Sequence, residues 1–181
     1  MKKTFLILCF LSTVLANTAL FAEPSKFQGI TDLHNAIRAG HSQPPLKWSD
    51  KLASYASQWV NYLASSQNCT MMHRPNAGDS KFKQIYGENL FWASPEIFSS
   101  GKSTIQPINI KDVFDAWAEE EQFYNYQKNT CESGKDCGHY TQIVWHETKE
   151  IGCAMAVCPD KSQIWACNYH PRGNYIGEKP Y

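Results

Sequence analysis

Nowhere does this chain of 181 residues place 18 apolar side chains in a row, which excludes a membrane-spanning helix of ordinary length. It has no run or cluster of Lys and Arg, and the two signs balance at 17 each. The electrostatic footprint of a nucleic-acid-binding protein is therefore missing. No two cysteines stand in a C-x-x-C pair, the spacing a zinc-type cysteine cluster needs. There is no G-x-S-x-G elbow, and His146-Glu147 is not followed by the second histidine of an H-E-x-x-H helix, which argues against two common hydrolase plans. No internal repeat is present either.

The first 22 residues read as a secretory signal. Lys2 and Lys3 form a basic start, Phe5 to Leu15 an apolar run too short for a span, and Asn17 to Ala22 a more polar exit. Cleavage is expected after Ala22, with Ala16 as the alternative. Residues 23–181 then form one domain, with formal charge shifted from 0 to −2 by the loss of the two lysines. Cys9 departs with the signal and does not sit in a lipoprotein context. Six cysteines remain, at 69, 131, 137, 153, 158 and 167. An even number in an exported chain points to three disulfides and an oxidising compartment.

Phe27, Ile30, Leu33 and Ile37 recur at helical spacing over residues 27–39, and Gly40 closes the run. His34 borders that stripe and reads as a buried, hydrogen-bonded histidine. Pro44-Pro45 forces an extended connector to Leu46 and Trp48. Ser49 is the candidate cap of a second helix showing Leu52, Tyr55, Ala56, Trp59, Val60 and Leu63 on one face. Between residues 68 and 87 the periodicity breaks, with Cys69 and His73 followed by a polar loop. Asn68-Cys69-Thr70 fits the glycosylation sequon, although a bridged cysteine in its middle position argues against its use. Glu88 lies in a short apolar run, Tyr86 to Trp92, and is expected partly inside, where a carboxylate needs donors or a cation.

A third helix is predicted over residues 109–126, capped by Asn109, with Val113, Phe114, Trp117 and Tyr124 buried. At about 100° per residue Glu119 faces away from Trp117, whereas Glu120 or Glu121 can reach the interior. Periodicity does not choose between them. Cys131 and Cys137 bracket a small loop that a local bridge would close. His139 to Trp145 alternates polar and apolar residues and reads as a strand. A histidine at an inward strand position is costly unless partnered, so His139 is either a hydrogen-bonded structural residue or a member of a polar site. Further strands are predicted at residues 151–157 and 163–169. A three-residue loop, Pro159 to Lys161, would set Cys153 opposite Cys167 and leave Cys158 for Cys69; a two-residue loop would spoil that register. The tail from Pro171 to Tyr181 has no regular period.

These residues resemble the CAP superfamily (cysteine-rich secretory proteins, antigen five, pathogenesis-related class one), most closely its plant pathogenesis-related class. The matching segments are Leu33-His34-Asn35 through Arg38, Pro45-Leu46 with Trp48, Tyr86-Gly87-Glu88-Asn89-Leu90, and Gly138 to Trp145. Ile151-Gly152-Cys153, Cys167-Asn168-Tyr169, Gly173-Asn174-Tyr175 and Pro180-Tyr181 complete them. The likeness covers about residues 27–181, with a longer loop between His73 and Glu88 than in plant members. It implies an α+β fold, a three-layer α-β-α sandwich with a central antiparallel sheet. It implies the bridges Cys69–Cys158, Cys131–Cys137 and Cys153–Cys167, and a cleft holding His73, Glu88, Glu120 and His139. Glu120 is thereby preferred over Glu121.

Two imidazoles and two carboxylates together suit a divalent cation, zinc above all. The resemblance implies a secreted, monomeric module that binds a sterol, another lipid or a protein receptor, acting in defence or host–microbe encounters. In some plant relatives the tail is released as a signalling peptide. A metal-dependent hydrolase or protease using the same four residues is the alternative, and binding is favoured over catalysis. His146 reads as a surface residue.

Overall fold

The computed structural model describes residues 22–76 and 82–181. The predicted signal lies outside that range except for Ala22. The chain runs α1 (Ile30–Gly40), β1 (Lys47–Trp48), α2 (Asp50–Ser66), β2 (Gly87–Ala93), β3 (Glu96–Ile97), β4 (Ser103–Thr104), α3 (Ile110–Ala118), β5 (Tyr124–Asn125), β6 (Thr130–Cys131), α4 (Gly138–Ile143), β7 (Glu150–Val157) and β8 (Gln163–His170). Short 3-10 turns cover Ser25–Phe27 and Glu119–Phe123.

The central sheet has the order β1-β7-β8-β2. β2, β8 and β7 are antiparallel neighbours, and the two-residue β1 adds a parallel edge to β7, which makes the sheet mixed. Alternation along the strands divides the core in two. Ile151, Cys153, Trp165, Cys167 and Tyr169 face a layer containing Ile30 of α1, Val113, Phe114 and Trp117 of α3, and Tyr140 and Ile143 of α4. Ala154, Ala156, Ile164, Ala166 and Leu90 face Ala56, Trp59, Val60 and Leu63 of α2. Small residues let α2 lie close to the sheet. At Gly152 a Cβ would collide with the backbone of Ser49 and Ala53, so only glycine fits there. The three-layer expectation is met.

Strand register fixes one bridge. Cys153 pairs directly with Cys167, because Cys158 N donates to Ser162 O and closes a three-residue loop between them. The other bridges are Cys69–Cys158 and Cys131–Cys137.

Asn109 caps α3 as expected: its side chain accepts from Lys111 N and Asp112 N, and Asp112 returns the bond to Asn109 N. Ser49 occupies the cap position of α2 without a side-chain cap bond. Two expectations need correction. The third helix ends at Ala118, eight residues earlier than predicted, and tightens into the Glu119–Phe123 turn. The stretch from His139 is no strand but the start of α4. In α1 the fully buried positions are Ile30, His34 and Arg38, one per turn. Among the described residues Arg38 meets no carboxylate; it donates to the carbonyls of Pro44, Ile143, Trp145 and Thr148 at 2.9–3.0 Å. Burial draws its pKa down to about 10.

Candidate functional site

His139 is held at the start of α4 by a glutamate far away in sequence. Glu120, in the turn after α3, accepts from His139 Nδ1 at 2.6 Å through Oε1. Its other oxygen accepts from the backbone N–H of His139 (2.9 Å) and Tyr140 (3.2 Å). Those two N–H groups are among the unpaired donors at a helix start, so Glu120 supplies from another element the bond a local capping side chain would give. The indole of Trp117 stacks on the imidazole, with centroids 5.9 Å apart, and Asn89 Nδ2 donates to His139 O.

His73 is built the same way from different elements. Glu88, on β2 opposite Asn168, accepts from His73 Nδ1 at 2.8 Å and from Arg74 N at 3.2 Å through one oxygen. Its other oxygen lies 3.5 Å from Asn168 Nδ2 and 3.8 Å from Arg74 Nε. The Glu88 and Arg74 side chains are wholly buried, whereas the His73 side chain is half exposed. Arg74 donates to Tyr55 O and lies 3.6 Å from the Tyr55 ring centroid. Burial lowers its pKa, and the ring face and Glu88 offset that.

A carboxylate can only accept, so each Nδ1 carries a proton. With the proton on Nδ1, Nε2 is the ring nitrogen of His73 and of His139 left to act as a ligand. Both rings line one cleft of about 330 Å³ together with Glu88, Asp136 and Asn174. Among the described residues no three His, Cys, Asp or Glu side chains are grouped to hold a metal ion. The cleft lining carries the two imidazoles together with the Glu88 and Asp136 carboxylates.

Behind the cleft, Asn89 Nδ2 also donates to Tyr169 Oη (3.2 Å), which meets His34 Nε2 at 3.0 Å. His34 Nδ1 lies 2.9 Å from Ile30 O. Burial pushes the His34 pKa down to about 3, so it is a neutral structural histidine, as the sequence suggests.

Residues 31–169 match the cysteine-rich secretory protein family, CAP. The chain belongs to the CAP family. It is 34% identical to pathogenesis-related protein 1C of Nicotiana tabacum, over all of this chain and 95% of that one. With pathogenesis-related protein PR-1 of Medicago truncatula it shares 39% identity, over 97% and 93%. Among solved structures, Schistosoma mansoni venom allergen-like protein 4 superposes with a TM-score of 0.55 at 28% identity, covering 84% of this chain and 91% of that one. The protein is a pathogenesis-related-like CAP domain.

Of the four CAP cleft residues named from sequence, His73, Glu88 and His139 line the cavity, and Glu120 stands behind His139. Glu119 is exposed, and Glu121 meets Tyr140 Oη at 3.2 Å instead. Sequence reasoning missed Arg74, Asp136 and Asn174. Arg74 adjoins His73 and could have been suspected as the cation Glu88 requires. Asp136 is carried to the cleft by the Cys131–Cys137 loop. Asn174 bonds Gly138 O and Thr141 Oγ1, making the tail a wall of the cleft. No local pattern announces either of these two. His146 is exposed.

Proposed function

We propose that this protein is a secreted, disulfide-stapled binding module acting in defence or host–microbe encounters. Its cleft holds a divalent cation, zinc by donor chemistry, on Nε2 of His73 and His139. The observation that carries the cation reading is the pairing of each imidazole, through Nδ1, with a carboxylate. Such pairing fixes the tautomer and raises ligand basicity in metal sites. Glu88 and Glu120 are orienting residues in this reading, because hydrogen bonds to side chains and backbone already engage their oxygens. A cation bound there would polarise an oxygen of an incoming ligand and keep open coordination positions. Carboxylates committed to holding imidazoles favour binding over metal-dependent hydrolysis.

The ligand is a sterol, another lipid or a protein receptor. The exposed apolar side chains Trp92, Ile97, Phe98 and Ile105 support an apolar partner, since such groups on a secreted surface are suited to contact. Names of defence proteins among relatives sharing a third or more of the sequence support the biological role.

Calorimetric titration with zinc tests the cleft: the wild type takes up about one ion per chain, and His73→Ala with His139→Ala takes up none. Equal binding by both proteins removes the cleft from the reading. Saturable sterol binding, with no cleavage of casein, is expected alongside; cleavage that Glu88→Gln abolishes would favour the hydrolase.

A further inference from the structure

Asn68-Cys69-Thr70 is the single N-x-S/T sequon in the chain, and the binding reading gives it no role. Asn68 follows α2 in the left-handed region, φ 50°, with Cys69 N donating to Leu63 O at 2.9 Å to close the helix. Asparagine is favoured in this closing position because it tolerates positive φ. That accounts for its backbone alone. Among the described residues its side-chain amide has no hydrogen-bond partner, and Asn68 and Thr70 are both exposed while Cys69 between them is buried.

We infer that Asn68 is an N-glycosylation site, modified before the chain folds. The objection is the bridged cysteine at the centre of the sequon. Its partner, Cys158, lies 89 residues further on. At a synthesis rate of about 5–20 residues per second, Cys158 does not exist until roughly 4–18 s after Cys69 is made. Throughout that interval Cys69 lacks its native partner and the tripeptide is open. In the finished fold the exposed amide of Asn68 can carry a sugar without displacing a contact, so modification and folding are compatible.

The co-reactant is an oligosaccharide joined to a lipid diphosphate, supplied with its transferase in a eukaryotic secretory pathway. Transfer forms a bond from Asn68 Nδ2 to the anomeric carbon of the first sugar. It breaks that carbon's bond to the diphosphate, which leaves with the electron pair, and releases one amide proton.

The inference shares the export reading with the proposed function but needs nothing from the cleft. The full chain is expressed in a eukaryotic secretory host in two forms, one with its own leader and one with residues 23–181 behind the host's leader. Intact mass is measured before and after a glycan-releasing amidase that hydrolyses the side-chain amide and so converts a glycosylated asparagine to aspartate. The expected result is loss of a single glycan's mass, aspartate at position 68, and no glycan on Thr70→Ala, which keeps the helix-closing asparagine. Secreted, bridged protein with unmodified Asn68 behind the host's leader overturns the site. A glycan in that form alone supports the site and refutes only the native leader.

Discussion

Glu120 Oε1 receives the Nδ1 proton of His139 across 2.6 Å while its second oxygen closes the start of the helix carrying that histidine. One carboxylate thus sets both the ring's orientation and the local backbone, and the two functions can be separated.

Glu120→Gln retains size but offers only one acceptor oxygen. Zinc affinity is expected to fall about 10–100-fold, the usual effect of removing an orienting partner. The same titration on Glu121→Gln, whose target gives Tyr140 rather than a cleft histidine a partner, should match the wild type.

His34 makes stability depend on pH. Its pKa is lowered on folding from 6.5 to about 3 by burial, so between those values the unfolded chain binds the extra proton. The contribution is full above pH 6.5 and is lost as pH falls toward 3, with a slope of at most about 1.4 kcal/mol per pH unit. Urea unfolding of wild type and His34→Gln across this window should show a shallower decline in the variant.

Gly152→Ala places a methyl group against the backbone of Ser49 and Ala53. Backbone cannot rotate aside as a side chain can, so α2 must move off the sheet. A loss of about 1–3 kcal/mol is expected, seen as a drop in Tm, whereas Gly134→Ala, in open space but at positive φ, reports strain without collision.

The bridges differ in reach. By loop-closure entropy, removing Cys69–Cys158, 89 residues apart, should destabilise by about 4–5 kcal/mol, and removing Cys131–Cys137, six apart, by about 2 kcal/mol. Paired Cys→Ser variants compared by thermal unfolding check the order. The smaller loss should carry the larger fall in zinc uptake, because the short loop leads directly into the helix of His139.

The strands β7 and β8 were legible as apolar runs joined by a short turn; their register followed only if that turn held three residues, and the sheet and the full set of bridges came from the family resemblance. The strand predicted from His139 failed for a physical reason. Seven residues with Thr141, Ile143 and Val144 favour extended backbone by local preference, yet Tyr140, Ile143 and Val144 also satisfy helical spacing. All three are fully buried, so packing decides, and Glu120 supplies the missing cap from 18 residues upstream of Gly138. No local reading contains that bond. Periodicity likewise left Glu120 and Glu121 open, since the switch from α to 3-10 geometry at Glu119 changes the angle per residue. The docking of the tail was invisible for a related reason: Gly173 N bonds Gln142 Oε1 and His146 N bonds Pro180 O, contacts of an aperiodic segment.

Arg38 has an unexpected bearing on where such a molecule can work. Its guanidinium is ringed by peptide carbonyls rather than by a counter-ion, and carbonyls neither titrate nor exchange with dissolved electrolyte. The turn that follows the histidine helix is therefore moored by a device indifferent to brine and to acid, conditions under which a carboxylate-paired arginine would slip its anchor.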